Sequence, residues 1–416
     1  MGFHEFSSPY DWSRIAAYKR TAKAAFGGMI DLSVGSPVDP VPDSVRKALA
    51  VAANDPNAYG YPATAGTADL RAAIAEWFSA TRNVDLQAIH ADVVPTVGSK
   101  EGVALMASLL HFGEDDVVVQ PKVSYPTYEI GTQLAGAQVL KVDDVADVAS
   151  WRNVPGVKAV WVNSPCNPTG EVYSAERMAG IVAAAREIGA VVLSDECYAL
   201  MQWRGATNSA DDDPLQSTPC ALRSDVCAGS AEGVLVLYSL SKQSNMAGYR
   251  TAFIAGDESL IASMSAYRKQ IGQIIPGPVQ AAMAAGLRDL ESVKVQHARY
   301  RERLGVLVSA LRAYGYCTDM PDGALYVWVR AKSAIAGPIW SSLPRLASSP
   351  APASSMVRRN VCVSPPPPAT RRSLPLLNVW RAKPICKRAS GNRWKPFIGG
   401  VRGSPTPMRL MAMCSC

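Results

Sequence analysis

The stretch "GVLVLYSLSKQSNMAGYR", residues 233–250, joins an apolar run to a lysine, several serines and an arginine. The run is apolar throughout, as is typical of a strand that is buried on both faces of a sheet. Directly after it comes Lys242, and Arg250 closes the stretch. A lysine in a partly buried cleft loses its proton more easily and can act as a nucleophile, whereas an isolated lysine is usually a surface residue. Both interpretations of Lys242 are open on this stretch alone.

Other apolar runs upstream and downstream alternate with segments of helical pattern. Strands are predicted at 92–98, 116–121, 157–165, 190–198, 233–241 and 250–256. Helices are predicted from about 99, at 128–136 and at 174–189. Apolar strands separated by helices indicate an α/β domain with a largely parallel sheet. In such sheets ligands bind at the carboxyl ends of the strands, so polar residues at those ends are candidate site residues.

Three polar residues follow predicted strands and have two interpretations each. Ser99 either caps a helix or helps to bind a phosphate at the helix start. Asn167, in "NSPCNPTG", is explained by turn chemistry alone or by a ligand contact. Asp195, in "SDECY", is either a solvated strand end or a carboxylate that faces a cationic ligand atom. Together with Lys242 and Arg250, these residues would suit a phosphorylated, positively charged aromatic aldehyde.

The composition argues against several other classes of protein. The 416 residues contain no run of about 18 apolar residues, and the first residues do not resemble a signal peptide, so we expect a cytoplasmic protein without a membrane partner. The nine cysteines include no Cys-x-x-Cys pair, and only four histidines occur, so we predict neither a disulfide framework nor a metal site. The phosphate-binding glycine motifs of nucleotide-binding proteins are also missing.

The charge is distributed unevenly along the chain. Residues 1–330 carry 28 Lys and Arg with all 35 Asp and Glu, whereas residues 331–416 carry 14 Lys and Arg and no acid. The second segment also holds 13 of the 30 prolines. A basic segment rich in Pro and Ser, without helical or strand period, is typical of a disordered arm. Such an arm could contact nucleic acid, although small molecules remain our preferred partners.

The motifs together resemble those of the pyridoxal-phosphate-dependent aminotransferases of fold type I, in the class I/II group. The similarity is carried by "SLSKQSNMAGYR", "NPTG" and "SDECY". Within that group it is closest to the actinobacterial succinyldiaminopimelate aminotransferases, through "PTVGSKE", "YPTYEIG" and "IPGPVQ". It covers roughly residues 8–330. The resemblance implies a large domain with a mostly parallel seven-stranded sheet, plus a small domain that is incomplete in this chain.

The resemblance also implies a role for each matching residue, with pyridoxal 5'-phosphate as cofactor and no metal. The catalytic residues would be Lys242, which binds the cofactor covalently, Asp195, which pairs with the pyridine nitrogen, and Tyr198. Asn167 and Tyr198 would contact the phenolate oxygen, and Tyr125 would stack on the ring. Further cofactor contacts, mainly at the phosphate, would come from Ser99, Lys100, Ser239, Ser241 and Arg250, and from Tyr61 of the neighbouring subunit. Gly35 and Asn167 would lie near the substrate.

The implied reaction moves an amino group between an amino acid and a 2-oxo acid in a homodimer. The expected substrates are N-succinyl-LL-2,6-diaminopimelate and 2-oxoglutarate, in lysine biosynthesis. One alternative is another fold type I enzyme, such as a β-lyase or decarboxylase; another is an inactive remnant whose basic tail contacts nucleic acid. The predicted organisation is an N-terminal arm and small-domain segment at 1–40, the cofactor-binding large domain at 41–285, the start of the C-terminal small domain at 286–330, and a non-family tail at 331–416.

The tail departs from the family where a carboxylate-binding arginine is expected. Codons can be chosen for residues 360–373 and for residues 348–357 such that reading from the third base of the first codon gives other amino-acid sequences. These sequences are similar to two family segments that are missing from the tail. Both segments share the same frame offset. The hypothesis is a frameshift near residue 331, and the alternative is a genuine basic, Pro-rich arm that is largely disordered.

Overall fold

A seven-stranded sheet is the centre of the molecule. The computed structural model describes residues 13–24, 28–32, 35–203, 215 and 218–329. Its strands are β1 (Ala91–Val97), β2 (Val117–Pro121), β3 (Gln138–Val142), β4 (Val157–Asn163), β5 (Val191–Asp195), β6 (Val234–Ser239) and β7 (Thr251–Asp257). The strand order is β1-β7-β6-β5-β4-β2-β3. Strands β2 to β6 run parallel, and β7 is antiparallel to both of its neighbours. The predicted α/β fold with a mostly parallel seven-stranded sheet is confirmed.

One strand has no counterpart among the sequence predictions. Strand β3 has the sequence "QVLKV", in which Gln138 and Lys141 are exposed and only Val142 is buried. It lies at the edge of the sheet and pairs with β2 alone. An edge strand needs fewer apolar residues than a central one, so a search for continuous apolar runs misses it.

Helices cover both faces of the sheet. In the described part of the chain they are α1 (Ser13–Lys23), α2 (Asp43–Ala53), α3 (Ala68–Arg82), α4 (Ser99–Leu109), α5 (Thr127–Leu134), α6 (Ala175–Glu187), α7 (Ser224–Cys227), α8 (Leu240–Gln243), α9 (Glu258–Gln270), α10 (Gly277–Arg288) and α11 (Leu290–Ala313). Ser174 caps α6 by accepting a hydrogen bond from the Arg177 amide, as the sequence predicts.

The alternation of side chains along each strand divides the core into two layers. In β6, Val234 and Val236 belong to a core cluster that includes residues of α3, α6 and α10. Leu235 and Leu237 belong to the opposite cluster, which includes residues of α4, α5 and α9. Because both faces of β6 are covered, the strand is apolar throughout. The same burial brings the polar residues that follow β6 to the rim of a rigid, close-packed element.

A third apolar cluster lies around α11. It contains Tyr300, Leu304 and Leu311 of that helix, together with Tyr198 and the segment 324–329. The predicted division into domains stays a prediction, and the predicted tail at 331–416 lies outside the described residues. Among the described residues, no helix combines the length and apolar composition needed to cross a membrane.

Candidate active site

The ends of adjacent strands bring the predicted residues to one edge of the sheet. Asp195, the last residue of β5, is in register with Asn163 of β4 and with Leu237 of β6. Ser239, which ends β6, is in register with Ala252 of β7. Because β7 is antiparallel, its first residues also lie beside the end of β1, which precedes Ser99. Residues that are distant in sequence therefore surround one site.

The start of α4 forms an anion cradle at this edge. Ser99 is the first helical residue, and Gly98 occupies the N-cap position without any side chain to bond the free amide groups. Ser99 is therefore not the N-cap, and the capping interpretation is wrong. A Cβ on Gly98 would lie 2.6 Å from the guanidinium carbon of Arg250. Amide groups, a hydroxyl and a guanidinium thus converge where only glycine fits, as in a phosphate site.

Three further hydroxyl groups belong to residues next to this cradle, Ser239, Ser241 and Thr251. The Ser239 Oγ donates to the Ser241 Oγ at 2.8 Å and lies 3.1 Å from the Thr251 carbonyl oxygen. The Thr251 hydroxyl is buried and has no hydrogen-bond partner in the described chain.

Lys242 lies in the short helix α8, directly after β6. Its Nζ donates to the carbonyl oxygen of Gly35, so the structure brings these two predicted residues together. Burial lowers the pKa of Lys242 to about 8, because a buried ammonium loses its hydration. The amine is therefore partly neutral near physiological pH and can act as a nucleophile or a base. The surface interpretation of Lys242 is wrong.

Asp195 is buried, with 7% of its surface exposed, so the solvated strand-end interpretation is wrong. Its Oδ2 accepts a hydrogen bond from the Tyr128 hydroxyl at 2.7 Å, and its Oδ1 accepts one from the Cys197 amide at 3.2 Å. Burial raises the pKa of the carboxyl group above its ordinary value. Within the described residues no cationic side chain pairs with it, so the carboxylate suits a cationic ligand atom.

Glu196, the next residue, has a different environment. Its Oε2 accepts a hydrogen bond from Arg82 at 2.9 Å, and its Oε1 accepts from the Ala221 amide at 2.8 Å. Both side chains of the ion pair are almost completely inaccessible to solvent. Glu196 is therefore satisfied within the core and is not a candidate for ligand binding.

The other predicted ring contacts lie around the same edge. The backbone amide of Asn167, a buried residue, donates to Asn163 Oδ1 at 2.7 Å in the turn after β4. The Tyr198 hydroxyl hydrogen-bonds to the hydroxyl of Tyr326, and both residues are buried. Tyr125 is half-buried, and burial raises the pKa of its hydroxyl.

Two predicted residues have exposed side chains. Tyr61 is fully exposed on the loop between α2 and α3, which leaves its predicted role to a second subunit untested. The Lys100 side chain is also exposed, and only its backbone lies in the first turn of α4.

Three residues around the site were not predicted as site residues. Tyr128 contacts Asp195, the Cys197 thiol lies near Ser99 and Lys242, and Tyr326 contacts Tyr198. Tyr128 lies in "YPTYEIG" and Cys197 in "SDECY", close in sequence to the predicted residues Tyr125 and Asp195. Their position inside these motifs is the signal that could have identified them. Tyr326 lies more than a hundred residues from its partner, and no local pattern indicates the contact.

The donor set fits one kind of ligand. The anion cradle follows β1, the Lys242 amine follows β6, and the Asp195 carboxylate ends β5. In the strand order β1-β7-β6-β5 the amine, whose pKa is lowered, therefore lies between the cradle and the carboxylate. This combination fits pyridoxal 5'-phosphate, whose phosphate, aldehyde and protonatable ring nitrogen need those partners. The fit rests on the uncapped start of α4 beside the Arg250 guanidinium and on the carboxylate of Asp195.

Solved structures with similar architecture cover most of the chain. A probable N-succinyldiaminopimelate aminotransferase from Thermus thermophilus is 27% identical, with a TM-score of 0.66 over 81% of this chain and 88% of that one. An aminotransferase from Neisseria meningitidis is 25% identical, with a TM-score of 0.68 over 82% and 85% of the two chains.

Sequence relatives are more similar. A probable aminotransferase of Mycobacterium tuberculosis is 40% identical over 323 residues, which are 77% of this chain and 72% of the relative. The 4-dedimethylamino-4-oxo-anhydrotetracycline transaminase OxyQ of Streptomyces rimosus is 39% identical over 338 residues, 81% of this chain and 88% of the relative. The family model for aminotransferases of class I and II matches residues 27–373. The chain therefore belongs to the class I and II aminotransferases, which are enzymes that depend on pyridoxal 5'-phosphate.

Proposed function

We propose that the strand-end site described above is the active centre and that each predicted residue has the role implied by its motif. The observation that carries this proposal is the convergence of the Lys242 amine, the unpaired Asp195 carboxylate and the anion cradle on one edge of the sheet. The remaining assignments are Ser99, Lys100, Ser239, Ser241 and Arg250 at the phosphate, Asn167 and Tyr198 at the phenolate oxygen, Tyr125 at the ring face, and Gly35 near the substrate.

When bound, pyridoxal 5'-phosphate supplies an electron sink for the bond that is broken at the substrate carbon. Lys242 would hold the cofactor covalently through its Nζ. Because its pKa is lowered to about 8, the same Nζ would serve as the base that accepts the proton of the substrate α-carbon and as the acid that returns it. Asp195 stabilises a positive ring nitrogen because its buried carboxylate has no internal cation in the described chain.

Replacing Lys242 tests the central assignment. We expect Lys242→Ala to abolish covalent capture of pyridoxal 5'-phosphate after borohydride reduction, with loss of transamination. The control is Lys47→Ala, which changes an exposed lysine of α2 and should leave the label on the peptide that contains Lys242. Labelling of that same peptide in the Lys242→Ala protein would show that another group binds the cofactor.

For the substrate, we propose N-succinyl-LL-2,6-diaminopimelate with 2-oxoglutarate. Support comes from the Thermus structure named for that activity, and from LL-diaminopimelate aminotransferases that are 28–29% identical over 77–80% of this chain. A second candidate is amination of a polycyclic ketone, favoured by the 39% identity to OxyQ. A β-lyase or decarboxylase activity is the remaining alternative within the fold.

A direct assay separates these candidates. Glutamate formation from 2-oxoglutarate would be measured with N-succinyl-LL-2,6-diaminopimelate or LL-2,6-diaminopimelate as donor, and amination of 4-dedimethylamino-4-oxo-anhydrotetracycline with glutamate as donor. We expect the highest kcat/KM with the succinylated donor. A higher value with the ketone would establish the second candidate, and release of carbon dioxide or pyruvate without amino transfer would indicate decarboxylase or β-lyase chemistry.

We also propose a homodimer in which Tyr61 reaches the partner's phosphate site. The full exposure of Tyr61, with Tyr59 also exposed beside it, supports a contact with a second chain. The test mixes two inactive variants, Lys242→Ala and Tyr61→Ala, under conditions that exchange subunits. One site of each mixed dimer would then be intact, so activity should reappear; no recovery despite subunit exchange would contradict the shared site.

For the tail, we propose a frameshift near residue 331. This position is the predicted boundary between the C-terminal small domain and the tail. The support is the complete absence of Asp and Glu from 331–416, beside 35 in the preceding residues. Resequencing the gene around codon 331 and assaying a frame-corrected chain is the test. We expect the corrected chain to be the more active, because a bidentate arginine contact to the substrate carboxylate contributes about 2–4 kcal/mol. Equal activity and solubility of both chains would favour a genuine arm.

A further inference from the structure

Tyr128 lies directly behind the Asp195 carboxylate. It is the second residue of α5, has 1% of its surface exposed, and donates its hydroxyl hydrogen to Asp195 Oδ2 at 2.7 Å. Its ring stacks on Trp161 of β4, with a centroid distance of 4.3 Å and an angle of 12° between the planes. Burial and the stack together fix the direction of the hydroxyl.

The hydrogen bond acts on a carboxylate that is otherwise weakly supported. The other donors to Asp195 are the Cys197 amide, at 3.2 Å, and the weakly donating Cys197 thiol, and no cation pairs with Asp195 among the described residues. Burial raises the pKa of Asp195, whereas the Tyr128 hydroxyl lowers it. Burial and the nearby carboxylate also raise the pKa of Tyr128 well above its ordinary value, so the hydroxyl stays a donor.

From this geometry we infer that Tyr128 is a positioning residue that keeps Asp195 ionised and aimed at the ring nitrogen of the cofactor. The inference rests on the proposed role of Asp195 and goes beyond it by assigning the group that controls that role. Without the hydroxyl, the carboxylate becomes more basic and holds the shared proton itself. The ring nitrogen would then carry less positive charge, and the cofactor would be a weaker electron sink.

Tyr128 also connects the two sides of the ring site. Its ring meets that of Tyr125 edge-on, with a centroid distance of 5.7 Å, and Tyr125 is the residue proposed to stack on the cofactor. Tyr125 lies two residues before α5, and the backbone amide of Tyr128 donates to its carbonyl oxygen at 3.1 Å, so a turn at the start of the helix joins the two residues. One helix end therefore places both a ring contact and the partner of Asp195.

The test is the Tyr128→Phe variant of the full chain, which keeps the ring and its stack on Trp161. The measurements are the dissociation constant of pyridoxal 5'-phosphate from the apoprotein and the absorbance of the bound cofactor between pH 5 and 9. We expect the acid limb of the absorbance titration and of kcat/KM to move upward by about one to two pH units, since a hydrogen bond to a charged group has that strength. The cofactor should also bind on the order of tenfold more weakly.

The matched control is Tyr173→Phe. Tyr173 is likewise buried and donates its hydroxyl to a carboxylate, Asp144, at 3.2 Å, but it belongs to the core cluster on the other face of the sheet from Tyr128. This variant should leave the cofactor titration unchanged. A shift of equal size in both variants, or no shift in Tyr128→Phe, would overturn the inference.

A second variant covers the case in which Tyr128→Phe does not fold. Site-specific 3,5-difluorotyrosine at position 128 retains the hydroxyl and makes it a stronger donor, so the acid limb should move to lower pH. Movement in the same direction as in Tyr128→Phe, or none, would overturn the inference. Because the absorbance titration needs no substrate, its result does not depend on whether the proposed amino-group donor and acceptor are correct. The Lys242→Ala variant tests separately whether this is the cofactor site.

Discussion

Asp195 and Glu196 are adjacent carboxylates in the same buried strand end, and their partners differ completely. Glu196 pairs with the Arg82 guanidinium at 2.9 Å and is satisfied inside the core. Within the described chain Asp195 receives hydrogen bonds from neutral donors, namely the Tyr128 hydroxyl and the amide and thiol of Cys197. A buried carboxylate with an internal counterion has a structural role, whereas a buried carboxylate without one can pair with a positively charged ligand.

Two arginines show the same contrast. Arg268 is completely buried and pairs with Glu101 at 2.7 Å, and Glu101 also accepts the Val97 amide at 3.0 Å. Arg250 is exposed, and its guanidinium lies against Gly98 and donates to the Ala247 carbonyl. Among the described residues, then, Arg268 fixes the turn before α4, while Arg250 remains available to an anion at that turn.

The largest expected effect separates Asp195 from its neighbour by activity. Asp195→Asn should lower kcat by at least about a hundredfold, because the ring nitrogen loses its anionic partner. Its stability should change little: the raised pKa of Asp195 means that the ionised form costs folding energy above its ordinary pKa, and asparagine removes that cost. Steady-state kinetics and urea unfolding of the apoprotein would be compared. A large loss of stability at normal activity would make Asp195 a structural residue.

Glu196 should give the opposite result. Glu196→Gln leaves Arg82 buried without its counterion, so the free energy of unfolding should fall by about 3–5 kcal/mol. The molecules that remain folded should retain most of their kcat. Adding Arg82→Met should restore part of the stability, because the uncompensated charge disappears. If the double variant is as unstable as the sum of the single ones, the two residues do not act as a pair.

Gly98→Ala should weaken the binding of the phosphate group alone. Its φ of +78° is unfavourable for alanine, and the added Cβ would displace the Arg250 guanidinium. The affinity for pyridoxal 5'-phosphate should fall about tenfold to a hundredfold, with little change for pyridoxal, which lacks the phosphate. Gly136→Ala is the control, since its φ of +81° gives similar strain in open space. Equal losses of affinity for pyridoxal 5'-phosphate and for pyridoxal would show that Gly98 does not act through the phosphate group.

The smallest effect concerns the charge of Lys242. With a pKa of about 8, the amine is neutral above that pH, so the rate of cofactor capture by the apoprotein should rise towards pH 8 and level off near pH 9. One pH unit below the pKa the rate should be about tenfold lower than at the plateau. Capture by Nα-acetyl-lysine, whose side-chain amine has the ordinary pKa of about 10.4, is the reference. A protein profile that continues to rise like the reference would show an unshifted amine.

Much of this site could be predicted from local sequence. The apolar strands set the sheet, and ligand sites lie at strand ends, so Lys242, Asp195 and Asn167 were identified from their positions after buried strands. In the structure Asp195 and Asn167 are buried and Lys242 is half-buried, the predicted sheet is confirmed, and the capping interpretation of Ser99 is corrected. Local patterns did not indicate strand β3, whose exposed edge lacks a continuous apolar run.

The sequence by itself determined the type of fold and the kinds of chemical group at the site, because apolar periodicity and strand-end position are local properties. The tertiary structure decided which charges are paired. Arg82 and Glu196 are 114 residues apart, and Tyr128 and Asp195 are 67 residues apart. Apolar periodicity and strand-end position do not distinguish Asp195 from Glu196, and only the family resemblance of "SDECY" favoured Asp195, because hydrogen bonds and ion pairs act over a few ångströms in space and depend on the strand order. That order leaves one carboxylate for the cofactor and assigns the other to the core.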